Sequence, residues 1–135
     1  MSTHRLLPID PQTGRVRDLR TPTAHIGAFG PLATVRSAAH GKPGPLIEEI
    51  AASGLRGRGG GWFPTARKME AVVASAADRR TRSPGSRPVV IANAMEGEPA
   101  SGKDAVLLAH VPHLILDGIQ AAAATVGATD AYLAV

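Results

Sequence analysis

The apolar and polar positions of this 135-residue chain change their rhythm three times. Residues 1–43 are rich in Pro, Gly and Thr and hold no sustained period. A turn at Pro11–Gly14 leads into a short strand from Gly14 to Leu19, and the rest of this irregular arm is expected to be loop. From Pro45 the rhythm is helical. Leu46, Ile47, Ile50 and Ala51 share one face, Glu48 and Glu49 point outward, and Gly54 ends the run. Pro64 then opens a second helix, expected over Thr65 to Ala76, with Met69, Val72, Val73 and Ala76 as its apolar stripe. Residues 78–87 read as a basic surface loop. The β-branched run inside Pro88 to Ala92 reads as a buried strand, followed by a polar loop from Asn93 to Gly102. A short helix over Asp104–His110 precedes a longer one over Pro112–Val126. Ile115, Ile119, Ala122, Ala123 and Val126 line one face of that helix, and Gly127 stops it. Residues 130–135 read as a second strand.

Strand, helix and strand over 88–135 make one βαβ unit, expected to be parallel and right-handed. The fold class is therefore α/β with an incomplete sheet, because three or more strands are normally needed for independent stability. Ligands of open α/β sheets sit beyond the C-terminal ends of the strands, which places loop 93–102 in the ligand region.

Composition narrows the chemistry. The chain has no cysteine, so it can build neither a disulfide nor a cysteine-ligated iron–sulfur cluster from its own residues. No apolar run approaches the roughly 18 residues that span a bilayer, and Met1–Pro8 lacks a signal-peptide core. A cytoplasmic address, or one peripheral to a membrane complex without direct insertion, is expected. The net charge of +4 is concentrated: residues 56–87 hold eight basic side chains against Glu70 and Asp78. Anionic partners are expected there, while the loop at 79–87 itself reads first as solvated surface and second as a means of steering a dinucleotide.

The densest chemistry lies in Gly54-Leu55-Arg56-Gly57-Arg58-Gly59-Gly60-Gly61-Trp62-Phe63-Pro64-Thr65, with Lys68 just beyond. Glycines let backbone approach a ligand closely, and exposed N–H groups before a helix N-terminus can cradle phosphate. Trp62 and Phe63 suit a flat ring. This is neither a Walker loop nor a Rossmann fingerprint, since no Gly-Lys-Ser/Thr occurs and the loop follows a helix. The tract also reads as a short RGG-type segment binding single-stranded nucleic acid. The strand-end loop adds Glu96 and Glu98 around Gly97. Carboxylates there either bind ribose or amide groups and bias a redox cofactor, or are solvated acids in a turn. Lys103-Asp104 is either a ligand contact or an ordinary helix start. His110 and His113, three apart, have metal-compatible spacing, but a structural role is the favoured reading.

Taken together, Gly54–Met69 and Asn93–Asp104 resemble the two signatures of the FMN- and NADH-binding flavoprotein subunit of respiratory complex I, the 51 kDa type. Its relatives include the diaphorase modules of hydrogenases and formate dehydrogenases. Pro112-His113 through Asp117-Gly118 is similar to a third family segment. The resemblance covers residues 45–135. It implies a partial Rossmann-like FMN-binding domain, with residues 44–135 as its first half behind the arm at 1–43. It further implies that Gly57, Arg58, Gly59 and Gly60 wrap the FMN phosphate and ribityl, that Lys68 supplies positive charge, and that Asn93 hydrogen-bonds the flavin. Phe63 would face the nicotinamide or adenine ring, and Glu98 would sit near the nicotinamide. The implied activity is FMN-dependent oxidation of NADH, with electrons passed to an iron–sulfur relay or quinone-reducing complex held on a partner chain or a further domain. The departures are Trp62 and Ala66 in place of glycines, and Met95 in place of an aspartate. The alternatives are a non-catalytic remnant that folds against a partner chain and, last, the nucleic-acid binder.

Overall fold

The computed structural model describes residues 6–32, 44–58 and 61–135. Among them are five helices and a two-stranded parallel sheet: α1 (Pro22–Phe29), α2 (Pro45–Ser53), α3 (Thr65–Arg82), β1 (Val89–Asn93), α4 (Lys103–His110), α5 (Pro112–Val126) and β2 (Asp130–Ala134). The class is mixed α/β, with α5 carrying the chain from β1 to β2 and the sheet incomplete. The chain divides into two compact units. One comprises Met1–Ala33, Ala92–Ile119 and Leu133–Val135, and the other Thr34–Ile91 and Gln120–Tyr132.

The second unit is built on α2 and α3. Gly44 precedes Pro45 at the first helical position, and Gly54 closes α2 in the left-handed conformation (φ 67°), as its lack of Cβ permits. Ile47, Ala66, Val73 and Val126 form the buried centre, flanked by Ile50, Met69, Val72, Val90 and Ala128. These are the positions that the helical rhythm selects. Ala51, expected on the same face, is exposed.

Helix α3 runs six residues past its expected end at Ala76, so the basic loop expected over 78–87 is in part helix. The reason is local. Ala76 and Ala77 are good helix formers, and Asp78 pairs with Arg82 one turn on. The break comes only at Ser83-Pro84-Gly85, where Gly85 takes φ 93°. Strand β1 lies where expected but is not buried. Its residues alternate, and Val89 and Ile91 are 52% and 68% exposed. Only the face carrying Val90 is covered, so a run that looks uniformly apolar is in fact a one-sided strand.

In the first unit the expected turn forms at residues 11–13, where the Asp10 carboxylate accepts from the amides of Gln12 and Thr13. The strand expected over Gly14–Leu19 reduces to a single antiparallel bridge between Ile9 and Val16. Helix α1 occupies a stretch expected to be loop. Thr21 caps it by accepting from the amide of Ala24 at 3.2 Å, Pro22 starts it, and Gly30 ends it at φ 79°. The arm is anchored: the amide of Leu19 donates to the carbonyl of His110 at 3.0 Å, and Leu19 is 1% exposed. His25, 4% exposed, places Nε2 2.8 Å from the Asp117 carboxylate.

Candidate functional site

In the second unit the segment between α2 and α3 is tied at its base. The Gly57 amide donates to the Phe63 carbonyl at 2.9 Å and the Thr65 amide to the Leu55 carbonyl at 3.0 Å, framing an antiparallel bridge between Arg56 and Pro64. Gly57 is one of the residues expected to wrap a phosphate, yet its N–H is engaged in closing the loop. Gly59 and Gly60 lie outside the described residues. Arg58 stacks its guanidinium 5.0 Å from the Trp62 ring centre, and Arg56 donates to the Trp62 carbonyl. Trp62 itself sits at φ 47°, in the left-handed region where a residue with a Cβ is strained. The glycine of the family signature would occupy that conformation without strain. The other glycine replacement, Ala66, is 5% exposed and packs in the core, so its methyl group is used.

Phe63 and Trp62 are 57% and 56% exposed. Lys68 is exposed in the first turn of α3, where a positive side chain and the free amides of a helix start act in the same direction on an anion. Both Phe63 and Lys68 line a cleft of about 520 Å³. Its wall runs down one face of α3 through Val72 and Ala76 to Arg79, and its other side is the segment Ser86–Val89, including Arg87. In the sequence Arg79 and Arg87 read as solvated surface. The signal for their placement is the spacing Lys68, Val72, Ser75, Arg79, which becomes one stripe once the helix extends to Arg82.

The strand-end loop belongs to the first unit. Asn93, the last residue of β1, accepts from the Met95 amide at 2.9 Å, an Asx turn that leaves its side-chain NH2 as the donor free to meet a ligand. Met95 is 63% exposed. Glu96 and Glu98, equivalent in the sequence, separate here. Glu96 accepts from the Ser101 hydroxyl at 2.6 Å, the Lys103 ammonium at 2.9 Å and the Asp104 amide at 3.0 Å. The Ser101 and Lys103 bonds hold its carboxyl down at about 2, against an ordinary 4.5. Gly102 supplies no side-chain cap to α4, so Glu96 satisfies that helix start from a distance. Lys103 also pairs with Asp104 at 2.6 Å, and the two carboxylates push its ammonium pKa upward. Glu96 and Lys103 are therefore engaged in shaping the loop. Glu98 is exposed, and its backbone carbonyl accepts from the Ser101 amide.

The histidines fall into a structural setting. His113 places Nε2 2.9 Å from the Arg20 carbonyl, and its ring lies 5.6 Å from that of His25. Among the described residues no group of three His, Cys, Asp or Glu side chains is placed to hold a metal. No single helix among them is long and apolar enough to cross a membrane.

Comparison with known proteins agrees with this layout. The family described as the Nuo51 FMN-binding domain matches residues 50–135. An NADH-quinone oxidoreductase subunit in Aquifex aeolicus is 37% identical over 91 residues, 67% of this chain and 19% of the relative. The Rhodobacter capsulatus protein of the same name is 38% identical over 88 residues, 65% of this chain and 19% of the relative. The mitochondrial NADH dehydrogenase [ubiquinone] flavoprotein 1 of Dictyostelium discoideum is 35% identical over 88 residues, 65% of this chain and 17% of the relative. The chain thus spans about a fifth of the length of the curated relatives it matches. On the family match over most of its length, the chain belongs to the Nuo51 FMN-binding domain family.

Proposed function

We propose that residues 44–135 form the first half of an FMN-binding domain in an NADH:acceptor oxidoreductase, and that this half carries the phosphate-binding and ring-facing groups. The observation that carries the reading is the junction of the glycine segment with α3. There an exposed ring, Phe63, and an exposed first-turn cation, Lys68, stand together at one cleft in a chain of the FMN-binding family. The donor set fits an anionic, flat-bodied ligand: cations and one aromatic ring line the cleft, and among the described residues no carboxylate does.

In this reading Lys68 neutralises the FMN phosphate, joined by Arg58 and the backbone of Gly59 and Gly60. Gly57 keeps the loop closed through its bond to Phe63. The side-chain NH2 of Asn93 donates to the flavin, and Phe63 stacks on the nicotinamide or adenine ring of NADH. Glu98, not engaged by side-chain partners as Glu96 is, faces the nicotinamide. FMN, when bound, supplies the capacity to take two electrons as hydride and release them one at a time. The protein's part is to hold ring against ring and to exclude water. The iron–sulfur relay that accepts the electrons lies on a partner subunit or another domain, since this chain has no cysteine.

The exposed Val89, Ile91 and Tyr132 of the two strands favour a second arrangement, in which a partner chain covers the sheet and completes the pocket. Titration of FMN into the full chain, followed by quenching of flavin fluorescence, separates the two. Binding at micromolar FMN supports a pocket present in this chain. Binding only in the presence of a chain supplying the rest of the domain supports the second arrangement. Absence of binding in both conditions refutes the reading.

A further inference from the structure

The cleft along α3 has two ends of different character. At one end stand Phe63 and Lys68, which the proposed function assigns. At the other stand Arg79 and Arg87, which it does not use. From Lys68 to Arg79 is eleven residues of helix, roughly 16 Å at 1.5 Å per residue, longer than a nucleoside monophosphate needs. The floor between them is apolar or small, formed by Ala71, Val72 and Ala76. A ligand filling the cleft lengthwise therefore presents a ring to Phe63 and an anion to the two guanidinium groups.

The chemistry of the far end is specific. A dinucleotide site that takes an unmodified adenosine ribose supplies a carboxylate to its 2′-hydroxyl, whereas a site for the 2′-phosphorylated form supplies arginine. Among the described residues no Asp or Glu lines this cleft. The nearest acid in sequence, Asp78, is paired with Arg82. Neither Arg79 nor Arg87 takes part in a salt bridge identified among the described residues. Two planar guanidiniums facing one groove from α3 and from the 86–89 segment suit a phosphate dianion better than a hydroxyl.

We infer that Arg79 and Arg87 make this cleft selective for a nicotinamide dinucleotide bearing a 2′-phosphate. The inference rests on the dinucleotide side of the proposed function, with Phe63 as the ring platform, and is independent of where FMN sits. Both arginines are exposed, so their substitution leaves the buried centre of the fold intact.

The test is calorimetric titration of the full chain with NADPH and NADH at low salt, repeated on Arg79→Gln, Arg87→Gln and the double variant. NADPH is expected to bind at least tenfold tighter than NADH. The double variant is expected to bring the two within about threefold, and added salt to weaken NADPH more than NADH. Equal affinities in the unsubstituted chain, a preference that survives the double substitution, or no binding of either dinucleotide overturns the inference. A parallel FMN titration keeps the two readings apart. FMN binding without a dinucleotide preference removes this inference alone, and a preference for NADPH without FMN binding removes the flavin assignment alone.

Discussion

Trp62 offers a direct measure of how far this chain has strained the family's loop. The residue holds φ at 47° between two tied ends, and it meets Arg58 through its ring. A left-handed residue with a Cβ costs about 1–2 kcal/mol, while an exposed cation–π contact returns about 0.5–1 kcal/mol. Trp62→Ala removes the contact and keeps the strain, so it is expected to destabilise by about 0.5–1 kcal/mol. Trp62→Gly removes both, at the cost of about 0.5–1 kcal/mol of extra chain freedom in the unfolded state. Glycine is therefore expected to be more stable than alanine by about 0.5–1 kcal/mol, and close to the parent chain. At an ordinary φ the order is reversed, because alanine restricts the unfolded chain more than glycine does. Urea unfolding followed by far-ultraviolet circular dichroism gives the comparison without relying on tryptophan emission. Equal stability of the two variants, or alanine above glycine, would falsify the left-handed assignment and the strain argument built on it.

Other side chains give equally direct readouts. Lys68→Ala is expected to weaken FMN binding by roughly tenfold or more, since a charge-assisted contact contributes about 1.5–3 kcal/mol; unchanged affinity in a fluorescence titration places the phosphate elsewhere. Glu96 has its folded pKa depressed from 4.5 to about 2, so its contribution is complete above about pH 4.5 and is lost as pH falls toward 2. Because Asp18, held down to about 2 by Arg20, titrates in the same window, the readout must be local. Amide exchange at Asp104 should accelerate on acidification, and Glu96→Gln should flatten that dependence. His25→Ala is expected to destabilise the chain by about 1.5–3 kcal/mol through loss of the buried bond to Asp117. His25→Phe should cost less, because it also removes the buried, unpartnered Nδ1; equal thermal shifts for the two variants contradict that account.

The positions of α2, α5, β1 and β2 were legible because period and punctuation agree there. Ile47 and Ile50 mark one face, Gly54 and Gly127 take the left-handed stops that their lack of Cβ allows, and β-branched residues mark the strand. The end of α3 was hidden by its charges: a run of arginines looks like surface loop until Asp78–Arg82 is seen as a one-turn pair. Helix α1 was hidden by the absence of a clear stripe, although Thr21-Pro22 at its start and Gly30 at its end are cap residues in the expected order. At the candidate site, sequence spacing found Phe63 and Lys68 but could not separate Glu96 from Glu98. That difference depends on Ser101 and Lys103 folding back five and seven residues later. The arginines of the cleft were unreadable for the same reason as the helix that carries one of them.

The anchoring of the arm bears on how the limits of a domain are drawn. The match to the family begins at residue 50, yet Leu19 and His25 are among the least exposed side chains of the molecule. A cut made where the sequence likeness starts would open the contact under Leu19 and leave the Asp117 carboxylate without its imidazole. Kinship and cooperativity therefore have different borders here. The inherited segment is shorter than the unit that must fold, and excision along the line of homology would cut through a packed interior.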